Sequence, residues 1–208
     1  MDAIVRAAMA KWPNVPNVFG WLKLDARGNW RIKSVRHTAA QPVFERIGNS
    51  AVVEFIYRNI EHDEQGRWYF QNGPQRVFIE LERAPWIVRL HEGNDGIGTL
   101  IAQNGSVLQA SAALLDESAQ PYFATPNGLA ALDDRDFVLF AAHLRHQNGT
   151  HLEEEHQISL FEHDASIAAL GVALGDGAVP LNRVRSADLP KQFGFVMNPR
   201  PPEGEEDC

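Results

Sequence analysis

Along the 208-residue chain, apolar and polar residues alternate mainly with a period of two, and the short apolar runs stop at Gly, Asn, Asp or Pro. That is the pattern of half-buried strands joined by tight turns. Residues 76–82 show it most clearly, with Val77, Ile79 and Leu81 on one face. Further strands are predicted at 86–90, 99–102, 107–110, 122–124, 179–184 and 193–196. Asn104-Gly105 between two of them is a hairpin signal. From residue 155 to 163 apolar and polar positions alternate again, which predicts a strand. Helical spacing is rarer. Residues 2–11 place Ile4, Val5, Ala8 and Met9 on one face, and Pro13 disfavours helix at Trp12. Residues 136–146 and 165–174 also read as helices, the second ending near Gly175. Residues 39–47 suit a short helix or a single turn, and 112–117 a helix or a loop.

One turn pattern occurs twice. Asp25-Ala26-Arg27-Gly28-Asn29-Trp30 and Asp63-Glu64-Gln65-Gly66-Arg67-Trp68 both read Asp-x-x-Gly-x-Trp, 38 residues apart. Asp accepts hydrogen bonds from N–H groups further along the turn, and Gly supplies the positive φ that closes it. With the flanking runs 18–24 and 52–60 this predicts two hairpins, 18–33 and 51–71. Calcium binding would need alternating oxygen ligands and a distal Glu, which neither copy has. Both aspartates are therefore read as turn-makers.

Composition changes this picture little. A hydrophobic content of 44% and a charged content of 22% suit a globular chain. The formal net charge of −8 argues against broad nucleic-acid binding. The single cysteine, Cys208, excludes an intramolecular disulfide and fits a reducing, cytoplasmic setting. No signal peptide or membrane-length apolar run is present, so no membrane partner is expected. Residues 198–208, rich in Pro and acid, are expected to be disordered.

Two groups of residues carry candidate chemistry. His143, His146, His151 and His156 lie within 14 residues of each other beside Glu153, Glu154 and Glu155. Imidazoles and carboxylates are zinc ligands, but no His-Glu-x-x-His spacing occurs. A solvent-facing polar turn is the competing account. The second group surrounds the second turn motif: Arg58, Arg67 and Arg76 would attract an anion, and Trp68 and Tyr69 would wall it. The competing account sends those aromatics to the core. No nucleophile elbow or phosphate loop is present, and Asp133, Asp134 and Asp136 around Arg135 read as helix-start residues.

The segments 11–16, 20–31 and 66–77, including Lys11-Trp12-Pro13-Asn14-Val15-Pro16 and Gly66-Arg67-Trp68-Tyr69-Phe70-Gln71-Asn72-Gly73-Pro74, resemble a proteobacterial family described only as a domain of unknown function. More distantly, the order of elements is similar to a second uncharacterised bacterial family. That likeness implies a two-part α+β architecture with repeated motifs, and a signalling role has been suggested there. Neither resemblance supplies a catalytic residue.

The expected fold is α+β and strand-rich, mainly antiparallel hairpins with a few short helices and two related halves. The expected division is 1–95, 96–197 and a tail at 198–208. The expected function is a non-catalytic bacterial cytoplasmic binding or regulatory module for a small molecule or protein. The site is sought between the second turn motif and residues 137–156. The alternative is a zinc-binding protein or metal-dependent hydrolase using the four histidines. A homodimer built on exposed strand edges is the third expectation.

Overall fold

The computed structural model describes residues 1–34, 36, 42–94, 96–146, 148–161, 167, 169–175 and 177–202. The chain forms two units, Met1–Arg83 with Gly194–Cys208, and Ala84–Phe193. The first contains α1 (Ala3–Lys11), β1 (Val18–Leu24), β2 (Trp30–Lys33), β3 (Phe44–Arg46), α2 (Ser50–Arg58), β4 (Ile60–His62), β5 (Trp68–Asn72) and β6 (Gln75–Leu81). The second opens with β7 (Trp86–Glu92), β8 (Gly98–Ala102), β9 (Val107–Leu108), β10 (Ala112–Leu115), β11 (Pro121–Thr125) and β12 (Gly128–Leu132). It continues with α3 (Phe137–Ala142), β13 (Leu144–His146), α4 (Glu154–Phe161), β14 (Leu170–Leu174), β15 (Gly177–Arg183) and α5 (Leu189–Phe193). The architecture is α+β and strand-rich.

One rule generates both sheets. Consecutive strands form three-stranded antiparallel meanders, and the last strand of a later meander pairs parallel with the first strand of the preceding one. This joins β6 to β1 in a six-stranded sheet. In the nine-stranded sheet it joins β12 to β7 and β15 to β10. The repeating unit is thus the meander, smaller than either half.

Its turns repeat too. At 25–29, 63–67, 93–97, 102–106, 116–120 and 146–150, the first N–H donates to the fifth carbonyl and the fourth N–H to the first carbonyl. The fourth residue is left-handed each time: Gly28, Gly66, Gly96, Gly105, Ala119 and Gly149. Where Asp opens the turn, its Oδ1 accepts from the N–H groups two and four residues on, at Asp25, Asp63 and Asp116. Asp25 and Asp63 are therefore turn-makers. The third copy escapes the motif because Ala119 and Pro121 stand where Gly and Trp would.

Several predicted elements change. Residues 50–58 form α2 rather than a strand. Asn49 caps it, its Oδ1 accepting from Ala51 and Val52 N–H, and Val53, Ile56 and Tyr57 recur at helical spacing. Residues 154–161 are also helical. Ile158 is 52% exposed and Leu160 1% exposed, a split that a shared strand face would not give. Residues 44–46 and 112–115 are strands. The helix expected at 136–146 stops at Ala142 and gives way to β13. Of the helix expected at 165–174, residues 165, 166 and 168 lie outside the described residues, and 170–174 is β14, zipped between β13 and β15. The strand expected at 193–196 begins instead as the end of α5. Gly194 then turns the chain, and Val196 N–H donates to Gly66 O. Residues 203–208 of the expected tail, including Cys208, lie outside the described residues.

In the first unit, Leu22, Leu24, Ile79, Leu81 and Trp30 share the sheet face that α2 covers. Phe55 of α2 meets Phe70 edge-on, and Tyr57 leans on Trp30. In the second unit, the sheet curls until β14 meets β8: Gly175 N–H donates to Gly98 O at 3.0 Å. Gly98 is needed there because a Cβ would lie 2.8 Å from Ala173 O. A cavity of about 330 Å³ opens at this seam, lined by Thr99, Leu100, Leu108 and Leu174 among others.

Candidate functional site

Strand alternation sorts the predicted ligand residues. Tyr69 pairs with Phe78 across β5 and β6, and Gln71 with Arg76, so these four share the sheet face turned away from α2. Phe19 stacks on Phe78 with centroids 4.5 Å apart, and Tyr69 meets Phe78 edge-on at 5.8 Å. Two guanidiniums cap this cluster. Arg67 lies 4.7 Å over Phe78, and Arg76 lies 4.7 Å over Tyr69. Arginine stacks in this way because its planar, weakly hydrated cation suits a ring face. Arg67, Tyr69 and Arg76, with His62, Asp63, Glu64 and Gln65, line an open depression of about 460 Å³.

The two arginines differ electrostatically. Arg67 Nε donates to Asp63 Oδ2 at 2.7 Å, so its charge is answered. Arg76 makes no ion pair among the described residues, and the Tyr69 ring lies beneath it. The Tyr69 hydroxyl donates to Glu61 Oε2 at 3.2 Å, and burial raises its pKa from the ordinary value. Gln71 is buried, and its Oε1 finds no donor among the described residues.

Burial alone would raise the carboxyl of Asp63, but N–H and guanidinium donors from Arg67 outweigh it and hold the pKa below the ordinary 3.8. Asp25 behaves alike: burial opposes ionisation, while Asn29 and Arg31 more than compensate. A folded-state pKa below the unfolded one adds stability above the unfolded value, and that stability disappears as pH falls through the folded one. The urea midpoint is therefore expected to hold from neutral pH to about 5 and to drop below about 4. In Asp25→Asn the same acid limb should be shallower.

The other predicted residues lie elsewhere. Arg58 Nε donates to Asp2 Oδ2 at 3.3 Å, near the start of α1 and away from the depression. Trp68 sits opposite His62 with ring centroids 5.3 Å apart, on the other side of the strand from Tyr69. Sequence reading passed over Glu61, Phe19 and Phe78. The pairing of β5 with β4 brings in Glu61 and with β6 Phe78, and Phe19 lies at the register shift in β1; none of this is visible without the pairing.

The four histidines do not gather. His143 is 0% exposed, with Nδ1 3.0 Å from Ala173 O and Nε2 2.9 Å from Glu92 Oε2, so both ring nitrogens are engaged. His146 and His156 stand edge to face with centroids 6.4 Å apart. His151 is exposed, bridged through its backbone to Arg145. Among the described residues no group of three or more His, Cys, Asp or Glu side chains is placed to hold a metal ion. Asp133 does cap a helical turn, its carboxylate accepting from Arg135 N–H at 3.0 Å.

Comparison with known proteins gives one family. The model DUF2944, described as a protein of unknown function (DUF2946), matches residues 1–200. The chain belongs to this family. Among solved structures, it is similar to a DUF1285 family protein from Silicibacter pomeroyi at 16% identity. That match covers 87% of this chain and 95% of the other, with a TM-score of 0.46. It is also similar to a DUF1285 family protein from Shewanella baltica at 10% identity. There 57% of this chain and 88% of the other are covered, with a TM-score of 0.37. No curated protein matches the sequence. Among the described residues, no helix is long and apolar enough to cross a membrane.

Proposed function

We propose that this family member is a non-catalytic cytoplasmic binding protein whose ligand carries an anionic group, held in the depression formed by Arg67, Tyr69 and Arg76. The observation that carries this reading is Arg76. Its guanidinium is stacked and oriented by Tyr69 yet has no carboxylate partner among the described residues. A stacked Arg keeps its donors in plane, ready for bidentate contact with a carboxylate or phosphate. Arg67, held by Asp63, forms the opposite wall, and the Tyr69 ring supplies the apolar floor.

Titration of citrate or pyrophosphate, followed by thermal shift and calorimetry, tests the reading. Arg76→Ala is expected to weaken binding by about tenfold to a hundredfold, the worth of a charge-assisted contact. Equal affinity in the variant would discard the site. Zinc binding is the alternative reading, favoured by the approach of His146 to His156. Elemental analysis of the purified protein decides it.

A further inference from the structure

The basic character of this sheet face extends well beyond the depression. Strand register sets Lys23 beside Arg31 and Arg31 beside Arg46, with Lys33 beside Phe44. Lys33 Nζ lies 5.3 Å over Trp21, and Lys23 Nζ 5.8 Å over Phe44. Arg31 is answered by Asp25 at 2.6 Å. Glu80, beside Lys23 in the register, is met by Arg200 at 3.7 Å. Lys23, Lys33 and Arg46 make no ion pair among the described residues. A chain of net charge −8 thus gathers unanswered cations on one sheet face, opposite the face that α2 covers.

We infer that β1–β3 of this face bind an extended acidic segment of a partner protein, its carboxylates lying over Lys23, Lys33 and Arg46. Charge complementarity names the partner's sign, and the sheet sets its spacing. Lys23 and Arg46 are two strands apart, roughly 10 Å, which three residues of extended chain also span. Acidic residues every third position therefore fit the row. A single-stranded nucleic acid fits less well. It needs open ring faces for its bases, whereas here the rings are capped by cations and Phe78 and Tyr69 are buried. The net negative charge also repels a long polyanion beyond the patch. The inference rests on different side chains from the Arg76 pocket and stands or falls separately.

The test measures fluorescence anisotropy of a fluorescein-labelled peptide of Glu-Ser-Ser repeats against the full-length protein at low ionic strength. Combined Lys23→Met, Lys33→Met and Arg46→Met keeps the aliphatic stems packed on Trp21 and Phe44 while removing the charges. It is expected to weaken the peptide at least about tenfold. Lys23→Arg with Lys33→Arg is expected to retain binding, and Arg76→Ala to change it by less than about threefold. Absence of wild-type binding, or equal binding by the methionine variant, overturns the inference. Tighter binding of a single-stranded RNA of matched charge, sensitive to the same substitutions, overturns it in favour of nucleic acid.

Discussion

Gly66→Ala is expected to lower the unfolding free energy by about 2–4 kcal/mol, read as a fall in the urea midpoint with little change in slope. Two costs combine. Gly66 has φ +76°, a left-handed conformation that charges any side chain roughly 1 kcal/mol. A Cβ there would also lie 2.1 Å from Gly194 O and 2.8 Å from Gly194 C, both backbone atoms with no rotamer to escape into. The returning segment is pinned at this point, since Val196 N–H donates to Gly66 O and Leu81 N–H to Met197 O. Relief of the clash therefore requires that segment to lift, exposing the buried Phe195. Gly105→Ala separates the two costs. Its φ is +84°, but nothing lies within 4 Å of the added atom, so only the conformational part, about 1 kcal/mol, is expected. Equal effects of the two substitutions would show that the close approach at Gly194 contributes nothing.

The same residue shows how far the sequence could be read. Asp63 and Gly66 announce a turn whose chemistry is local: an Asp oxygen accepting from nearby N–H groups and a glycine at positive φ. Such signals survive in sequence because every partner lies within four residues. The Ala119 copy shows the limit, since buried Asp116 imposes the same turn without the glycine. That Gly66 also fits against Gly194, 128 residues on, leaves no local trace. Helix and strand were confused for the same reason. Residues 50–58 are rich in β-branched and aromatic side chains, yet the Asn49 cap and packing of Phe55 on Phe70 override that preference. The candidate site was legible in part. Arg67, Tyr69 and Arg76 meet because two adjacent strands pair in a predictable register, whereas Arg58, on an unforeseen helix, points to Asp2. Of the histidines, close in sequence, His146 and His156 approach each other, whereas His143, at the end of α3 just before β13 begins, is drawn into the core and engaged by Ala173 O and Glu92.

Asp136→Ala is the second large effect, expected to cost about 2–4 kcal/mol. Asp136 is buried, and its carboxylate takes Arg89 in a two-pronged contact, Nε at 2.5 Å and one terminal nitrogen at 2.8 Å. It also accepts from the N–H of Leu90 at 2.9 Å, in the middle of β7. Truncation leaves that buried N–H without an acceptor, a loss of roughly 1–3 kcal/mol by itself. It also frees a guanidinium whose side chain is 40% exposed, so water recovers part of the ion-pair term. Most of the cost therefore belongs to the orphaned backbone donor rather than to the salt bridge. Two comparisons decide between them. Asp136→Asn keeps an acceptor for Leu90 N–H and should recover at least half of the loss, while Arg89→Ala should cost less than Asp136→Ala. If Arg89→Ala instead destabilises as much as Asp136→Ala, the salt bridge carries the effect and the backbone argument fails. Arg200→Ala, which removes an exposed partner 3.7 Å from Glu80, is the outer reference and should stay within about 0.5 kcal/mol.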